Sequence, residues 1–170
     1  MDMRQIGQSS DAFDHSGIEA DRNLTLPLER LRELVGAGEI GEAAPRHFSI
    51  MGSIIAPARL ISESGPEFAR KLRQDAVDGM LLAPVCPFCH QASGLIQSII
   101  EKEGIPTVSI SLEMEITRQV EPPRVPVVDR PLGYPLGEPN NPDLQKRIMR
   151  AALPLLERRV SELPVVEFSG

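Results

Sequence analysis

Residues 80–90 read Met-Leu-Leu-Ala-Pro-Val-Cys-Pro-Phe-Cys-His, an apolar run that leads directly into the two cysteines of the chain. A run without a polar residue predicts a strand buried on both faces, as in the middle of a parallel sheet. Beyond Cys89, apolar residues recur at helical spacing up to Gly104, and residues 107–112 (Thr-Val-Ser-Ile-Ser-Leu) predict a second strand. Strand, helix and strand in this order form a βαβ unit, which places Cys86 at the strand-to-helix turn.

The flanking segments predict further elements on both sides of this unit. These are helices over 25–35, from 64 to about 77 and after Asn141, and a short strand at 47–52. For the tail at 163–170 two alternatives are open, pairing as an edge strand and a loose segment. Residues 113–141 are rich in proline, and a segment that long without regular structure is typical of a lid, a binding loop or a linker. Residues 1–22 show no periodicity and are expected to be a flexible N-terminal arm.

Because helices and strands alternate, we predict an α/β fold, a three-layer sandwich with a mainly parallel sheet that is Rossmann-like. The sequence shows no internal repeat, so residues 23–170 are expected to form a single α/β domain that carries the proline-rich loop at 113–141. Ligands in such folds bind beyond the C-terminal ends of the strands. Cys86, Cys89 and the loop after Leu112 are therefore expected at the same edge.

The bulk properties argue against several classes of protein. The net charge is -6 and the basic residues do not cluster, which argues against nucleic-acid binding, since phosphate contact needs concentrated positive charge. No apolar stretch reaches the roughly 18 residues that would span a bilayer. Residues 1–19 are polar and acidic, unlike a signal peptide. We therefore expect a cytoplasmic protein without a membrane segment.

Four interpretations of Cys86-Pro-Phe-Cys89-His90 are open. Covalent haem attachment uses this spacing but takes place outside the cytoplasm, which does not suit the polar N-terminus. A zinc or iron site would use Cys86, Cys89 and His90 as three ligands with an open position. Dithiol redox chemistry would use one cysteine to attack and the other to close a disulfide. In the fourth interpretation the two cysteines have no chemical role and are small buried apolar side chains.

Within the redox interpretation the two thiols have different roles. Cys86 lies nearer the strand end and the open edge, and a helix N-terminus favours the thiolate that attacks substrates. Cys89 lies in the first helical turn, within reach of Cys86, so we assign Cys86 as nucleophile and Cys89 as resolving thiol. His90 is a candidate general acid, general base or ligand, and the alternative for it is a residue that caps a loop or faces solvent.

Four polar residues are candidate substrate contacts. Ser53 lies after the predicted first strand, at the ligand edge, and Gln91 is placed to hold a carboxylate or an amide. Arg118 and Arg130 lie in the proline-rich loop, where an arginine can clamp a carboxylate through two hydrogen bonds. The alternative for each of the four is an ordinary solvated surface position.

Residues 78–91 (Asp-Gly-Met-Leu-Leu-Ala-Pro-Val-Cys-Pro-Phe-Cys-His-Gln), 103–108 and 131–137 together resemble selenoprotein B of the glycine, sarcosine, betaine and D-proline reductases. The likeness is nearest to the D-proline reductase branch and covers roughly residues 22–160. It implies that Cys86 stands at the family's selenocysteine position and Cys89 at that of its partner cysteine. In that family the selenol attacks the carbon that bears an amino group and displaces the nitrogen. A separate pyruvoyl subunit activates the substrate.

The leading hypothesis is a thiol-dependent reductase, or a subunit of one, that acts on a small amino-acid-like or other electrophilic molecule. It needs no bound cofactor, because an external thiol or a thioredoxin-like donor would return the disulfide to the dithiol. A second reductase subunit is an expected partner, and we expect an oligomer of identical or different chains. The alternatives are a protein that binds zinc or iron through Cys86, Cys89 and His90, and a non-catalytic subunit that serves assembly.

Overall fold

The computed structural model describes residues 11–160 and 166–168. The α-helices are α1 (Ser16–Ala20), α2 (Leu28–Gly36), α3 (Gly65–Gln74), α4 (Pro87–Lys102), α5 (Met114–Val120) and α6 (Pro142–Ala152). The strands are β1 (Met80–Leu82), β2 (Thr107–Ser109), β3 (Pro126–Val128) and β4 (Val166–Phe168). Short 3-10 turns follow α1 (Arg22–Leu24) and α6 (Leu153–Glu157), and a π-helical turn (Leu60–Ser64) leads into α3.

The strands pair in parallel throughout the described part of the chain. Met80 pairs with Thr107 in the β1–β2 pair, and Val128 pairs with Phe168 in the β3–β4 pair. A parallel bridge between Ser111 and Val127 joins the two pairs, with Ser111 N donating to Pro126 O at 2.9 Å. The βαβ unit predicted over 80–112 is present as β1, α4 and β2.

Apolar side chains pack on both faces of these strands. Leu82 packs with α3 and α4 around Phe68, Ile96 and Ile100, whereas its neighbour Leu81 packs on a second cluster. That second cluster draws on α1, α2, α6, β2, β3 and the turn around Leu136. Alternation of side chains along a strand sends successive residues to opposite faces, which explains the two cores. The Rossmann-like three-layer sandwich stays a prediction, because the strands are three residues long and form two pairs.

The second half of the expected flexible arm is folded. Residues 1–10 lie outside the described residues, but residues 16–20 form α1, and Ile18 is 3% exposed within the second apolar cluster. The ring of Tyr134 packs directly on α1, in the space where a Cβ at Gly17 would lie. Such a contact, between positions more than a hundred residues apart, leaves no periodic pattern in a segment this short.

The proline-rich loop is also more regular than predicted, since it contains α5 and β3. Pro122, Pro123 and Pro126 lie between α5 and β3 or at the start of β3, and the other prolines of the segment follow β3. Glu121 ends α5 with φ of 50°, and Pro122 follows it. Pro126 is the first residue of β3, a position that tolerates a missing N–H.

The remaining elements agree with the sequence to different degrees. No strand forms at 47–52, whereas the tail pairs with β3 through Val166–Phe168, the first of its two alternatives. The α6 helix ends at Ala152, and Pro154 lies in the 3-10 turn that follows, as expected for a residue that cannot continue an α-helix.

A buried ion pair connects α4, β2 and the segment before β3. Arg124 donates from NH1 to Glu101 Oε1, and that same oxygen accepts from both N and Oγ1 of Thr107 at 2.9 and 2.7 Å. The other side of the guanidinium donates to the carbonyl of Arg158. The side chains of Arg124 and Glu101 are 8% and 16% exposed, so both charges are largely withdrawn from water.

Replacing Arg124 should therefore destabilise the chain strongly. Arg124→Ala leaves the Glu101 carboxylate buried without its cation, and removing one partner of a buried pair costs about 3–5 kcal/mol. Urea unfolding followed by circular dichroism measures this. Arg59→Ala is the matched control, because it breaks an exposed Arg59–Glu63 pair whose loss costs under about 1 kcal/mol. Equal losses in the two variants would contradict the assignment.

Candidate redox site

The site is built on the first turn of α4. Cys86 is the N-cap of this helix, with extended backbone angles (φ -128°, ψ 164°), and Pro87 occupies the first helical position. Proline suits that position because its missing N–H would have no helical partner there. The Cys86 sulfur takes the place of the usual capping oxygen and accepts a hydrogen bond from Cys89 N at 3.3 Å. This N–H and the helix dipole both favour negative charge on Cys86 Sγ.

Cys86 and Cys89 are joined by a disulfide within this single turn, with their Cα atoms 5.0 Å apart. Cys86 is 2% exposed, whereas Cys89 is partly exposed. The predicted nucleophile is therefore the more buried of the two residues when the disulfide is closed. The pairing fits the assignment of one cysteine as the resolving thiol of the other.

His90 is held by the backbone at both ring nitrogens. Its Nδ1 lies 2.7 Å from Cys86 O, and its Nε2 accepts from Leu112 N at 2.9 Å. Because a carbonyl can only accept and an amide can only donate, the ring is the neutral tautomer with its proton on Nδ1. The residue is 6% exposed, and burial lowers the pKa of His90 below its usual value despite opposing effects of the Cys86 carbonyl and Glu113. His90 thus fastens the start of α4 to the end of β2, and its predicted role in acid–base chemistry stays a prediction.

A glycine that the sequence did not single out packs directly on the disulfide. Gly52 is buried, and a Cβ placed on it would lie 2.7 Å from Cys89 Cα and 2.8 Å from Cys89 Sγ. Any side chain at this position would have to displace backbone. The contact joins positions 37 residues apart in a segment without regular structure, so local sequence carried no signal for it.

The loop after β3 closes the other side of the turn. Gly133 N donates to Val85 O at 3.0 Å, immediately before Cys86. Gly133 has φ of 93°, and a Cβ on it would meet the ring of Phe13 at 2.7 Å. The N-terminal segment, the loop after β3 and the strand end before Cys86 therefore meet at one edge, as the α/β prediction required of the loop and the cysteines.

The four predicted substrate contacts lie in four different segments around the disulfide turn and on the helices α4 and α5. Ser53 is exposed and follows Gly52. Arg130 lies two residues beyond the end of β3, with its Nε 3.5 Å from Glu138 Oε1. Gln91 and Arg118 are exposed on α4 and α5, and no described contact joins either of them to the cysteines. Substrate binding by all four stays a prediction.

Metal binding has little support in the described residues. No group of three His, Cys, Asp or Glu side chains there is placed to hold a metal ion. Both nitrogens of His90 are engaged, so the third ligand of the alternative site would first have to leave its backbone partners.

Among the described residues, no helix is both long and apolar enough to cross a membrane.

Comparison with known proteins shows three informative relatives. The chain is 34% identical over 156 residues to the D-proline reductase subunit gamma of Acetoanaerobium sticklandii, a match that covers 92% of this chain and 63% of the relative. It is 29% identical to the sarcosine reductase complex component B subunit beta of Peptoclostridium acidaminophilum (91% and 36% covered). It is 28% identical to the betaine reductase complex component B subunit beta of the same organism (81% and 31% covered). No family model and no solved structure matches the chain.

These relatives confirm the resemblance inferred from the residues around Cys86, including its leaning towards D-proline reductase. All three are named as subunits of reductases, and two of them as components of larger complexes. This chain spans between about a third and two thirds of their lengths.

The neutral state of His90 predicts a particular pH dependence of stability. The folded-state pKa lies below 6.5, so the unfolded chain binds a proton first as the pH falls. The contribution of neutral His90 to the free energy of unfolding is complete above about pH 6.5. It is lost as the pH falls towards the pKa of His90 in the folded protein, by at most about 1.4 kcal/mol per pH unit. Urea unfolding at pH 7.5 and 5.5 should show a larger loss for the wild type than for His90→Gln. A difference between the two proteins that does not change with pH would contradict the assignment.

Packing of Gly52 on Cys89 predicts a second effect. Gly52→Ala places a methyl group against Cys89 and should lower the free energy of unfolding of the oxidised protein by about 1–3 kcal/mol, the usual cost of overpacking. Gly36→Ala is the matched control, because a Cβ there meets nothing within 4 Å and alanine favours the helix. Identical urea midpoints for Gly52→Ala and the wild type would show that the segment does not rest on the disulfide.

Proposed function

We propose that this chain, a relative of the component B subunits of amino-acid reductases, is a thiol-dependent reductase subunit in which Cys86 attacks the substrate and Cys89 resolves the adduct. One observation carries the proposal: the Cys86 sulfur caps α4, receives the Cys89 N–H at 3.3 Å and bonds to the Cys89 sulfur. A nucleophile, its activating donor and its resolving thiol thus lie within four residues.

The first half of the reaction is a displacement at carbon. The Cys86 thiolate attacks the carbon that bears the amino group, a C–S bond forms, and the C–N bond breaks. The nitrogen leaves with its electron pair and takes up a proton. Stabilisation of the thiolate by the helix N-terminus keeps a useful fraction of the sulfur ionised near neutral pH.

The second half releases the product and oxidises the protein. The Cys89 thiolate attacks Cys86 Sγ, the C–S bond breaks with its electron pair on carbon, and that carbon takes up a proton. The Cys86–Cys89 disulfide is the protein product of this step, and it is the form in which the structure is described. Two further thiols of an external donor then reduce the disulfide, so the donor supplies both electrons that cleave the C–N bond.

Attack by Cys86 is possible only in the reduced protein, in which its sulfur is not bonded to Cys89. In the disulfide form Cys86 is 2% exposed and tied to Cys89. Reduction frees rotation about the Cα–Cβ bond of Cys86, and this is the motion that presents the sulfur to a small substrate at the strand edge. Ser53 and Arg130, which lie around that edge, are the side chains best placed to bind a carboxylate.

The proposed substrate class is supported by the names of the relatives, which include D-proline, sarcosine and betaine. We propose an amino acid of this kind, with D-proline the first to be tested because that relative has the highest identity of the three. Simple amines are poor leaving groups, so a second subunit that activates the amino group is part of the proposal. A role in assembly without catalysis is the competing possibility, and the experiment below separates the two.

The test is the order of the two thiol pKa values. Reduced Cys89→Ser and Cys86→Ser variants each contain one thiol, and thiolate absorbance near 240 nm against pH gives its pKa. The backbone N–H at position 89 is kept in both variants. We expect Cys86 to titrate below the usual value of about 8.5 and below Cys89, and to alkylate with iodoacetamide faster than free cysteine at pH 7.

The opposite order would remove the basis of the nucleophile assignment. If Cys86 titrates at or above about 8.5, and alkylates no faster than free cysteine, the assembly role becomes the better account. Zinc or iron bound in stoichiometric amount to the reduced wild type, and lost from both variants, would favour the metal-binding alternative instead.

A further inference from the structure

We infer that the external thiol that regenerates the dithiol attacks Cys89, so that the donor and the substrate meet different sulfurs of the pair. The inference deepens the proposed function and takes from it the reduction of the disulfide by an external donor. It begins from the difference in burial, since Cys86 is 2% exposed and Cys89 is partly exposed. In thiol–disulfide exchange, access is one of the factors that decide which sulfur is attacked.

The two sides of the disulfide are covered by different kinds of structure. On the Cys86 side, three hydrogen bonds to backbone groups converge: the His90 ring donates from Nδ1 to the Cys86 carbonyl and accepts at Nε2 from Leu112 N–H, and Gly133 N–H donates to the Val85 carbonyl. These bonds join α4, the end of β2 and the loop after β3. A donor would have to break them to reach Cys86 Sγ from this side.

On the Cys89 side the cover is a single segment without regular structure. Gly52 is its point of contact with Cys89, and Gly52 has no side chain to displace. The flanking surface is apolar and exposed, with Met51 at 68% and Phe88 at 45% exposure. Such a surface imposes no charge on the approaching thiol, and the segment is anchored on both sides of Gly52 by Phe48 and Ile54, which pack on the cluster around Phe68.

The leaving group favours the same direction of attack. When Cys89 Sγ is attacked, Cys86 Sγ departs as the thiolate, and that sulfur already receives the Cys89 N–H at 3.3 Å at the positive end of α4. A better stabilised leaving thiolate speeds the exchange. Attack on Cys86 would instead expel the Cys89 thiolate from within the first helical turn, where no such hydrogen bond to its sulfur is described.

A donor thiolate attacks Cys89 Sγ, the Cys86–Cys89 bond breaks, and its electron pair goes to Cys86 Sγ. A second donor thiol then attacks the sulfur of the donor in the mixed disulfide, which releases the Cys89 thiolate and forms the donor disulfide. Two electrons pass from the donor to the protein, and the nucleophile Cys86 is regenerated first.

Mapping the mixed disulfide in the wild-type protein tests this inference. The oxidised protein is treated briefly with glutathione, quenched with acid, alkylated with N-ethylmaleimide and digested, and fragment ions between positions 86 and 89 locate each group. We expect glutathione on Cys89 and ethylmaleimide on Cys86 in at least tenfold excess over the reverse. Glutathione mainly on Cys86, or equally on both residues, would overturn the inference.

A second measurement uses the single-thiol variants in case the mixed disulfide collapses before quenching. The rate of alkylation by a long polyethylene-glycol maleimide is divided by the rate with iodoacetamide, which cancels the thiolate fraction of each thiol. The ratio for Cys89 in Cys86→Ser should exceed that for Cys86 in Cys89→Ser by at least tenfold. Equal ratios would contradict the inference, whereas the order of the two pKa values, which tests the proposed function, does not enter the ratio.

Discussion

The geometry of the site depends on the two hydrogen bonds of the His90 ring. One joins the ring to the carbonyl of Cys86 at the start of α4, and the other joins it to the N–H of Leu112 beyond the end of β2. Both require the neutral imidazole, and burial favours that form. The ring therefore fixes the position of the helix N-terminus relative to the sheet edge. The electrostatic effect of that terminus on the Cys86 sulfur follows from this placement.

The two cysteines differ in their surroundings. Cys86 lies on the side held by ordered backbone contacts and receives the Cys89 N–H, whereas Cys89 lies under a segment that touches it through Gly52. A cycle that needs one sulfur for a small substrate and another for an electron donor benefits from such a division.

Local sequence predicts the part of this arrangement that depends on neighbours in the chain. The apolar run before Cys86 and the helical spacing after Cys89 are sufficient for the βαβ unit and for the placement of both thiols at its turn. The resemblance to the reductase subunits came from the same residues. Prolines misled the prediction over 113–141, because Pro122 and Pro126 mark the end of α5 and the start of β3 and the number of prolines does not report the structure around them.

Contacts between distant positions lie beyond such patterns. Gly52 meets Cys89, Tyr134 meets Gly17, and His90 reaches Leu112, and each contact forms only after the chain has folded. A histidine beside a Cys-x-x-Cys motif suggested catalysis or metal binding from sequence alone. Both of its ring nitrogens bond to backbone groups, which shows a positioning role that sequence alone did not indicate, and the catalytic role stays a prediction. The burial of Ile18 has the same origin, since the surface that covers it comes from distant segments.

The central claim is that Cys86 forms the covalent bond with substrate. Peptide mapping of the Cys89→Ser variant tests it, with the variant assembled with the proposed activating subunit and given radiolabelled D-proline, the substrate proposed first. Without a resolving thiol, the adduct should accumulate, and we expect the label on Cys86 in near-stoichiometric amount. Continued turnover by a Cys86→Ser variant of the same assembly, or label on another residue, would contradict the account.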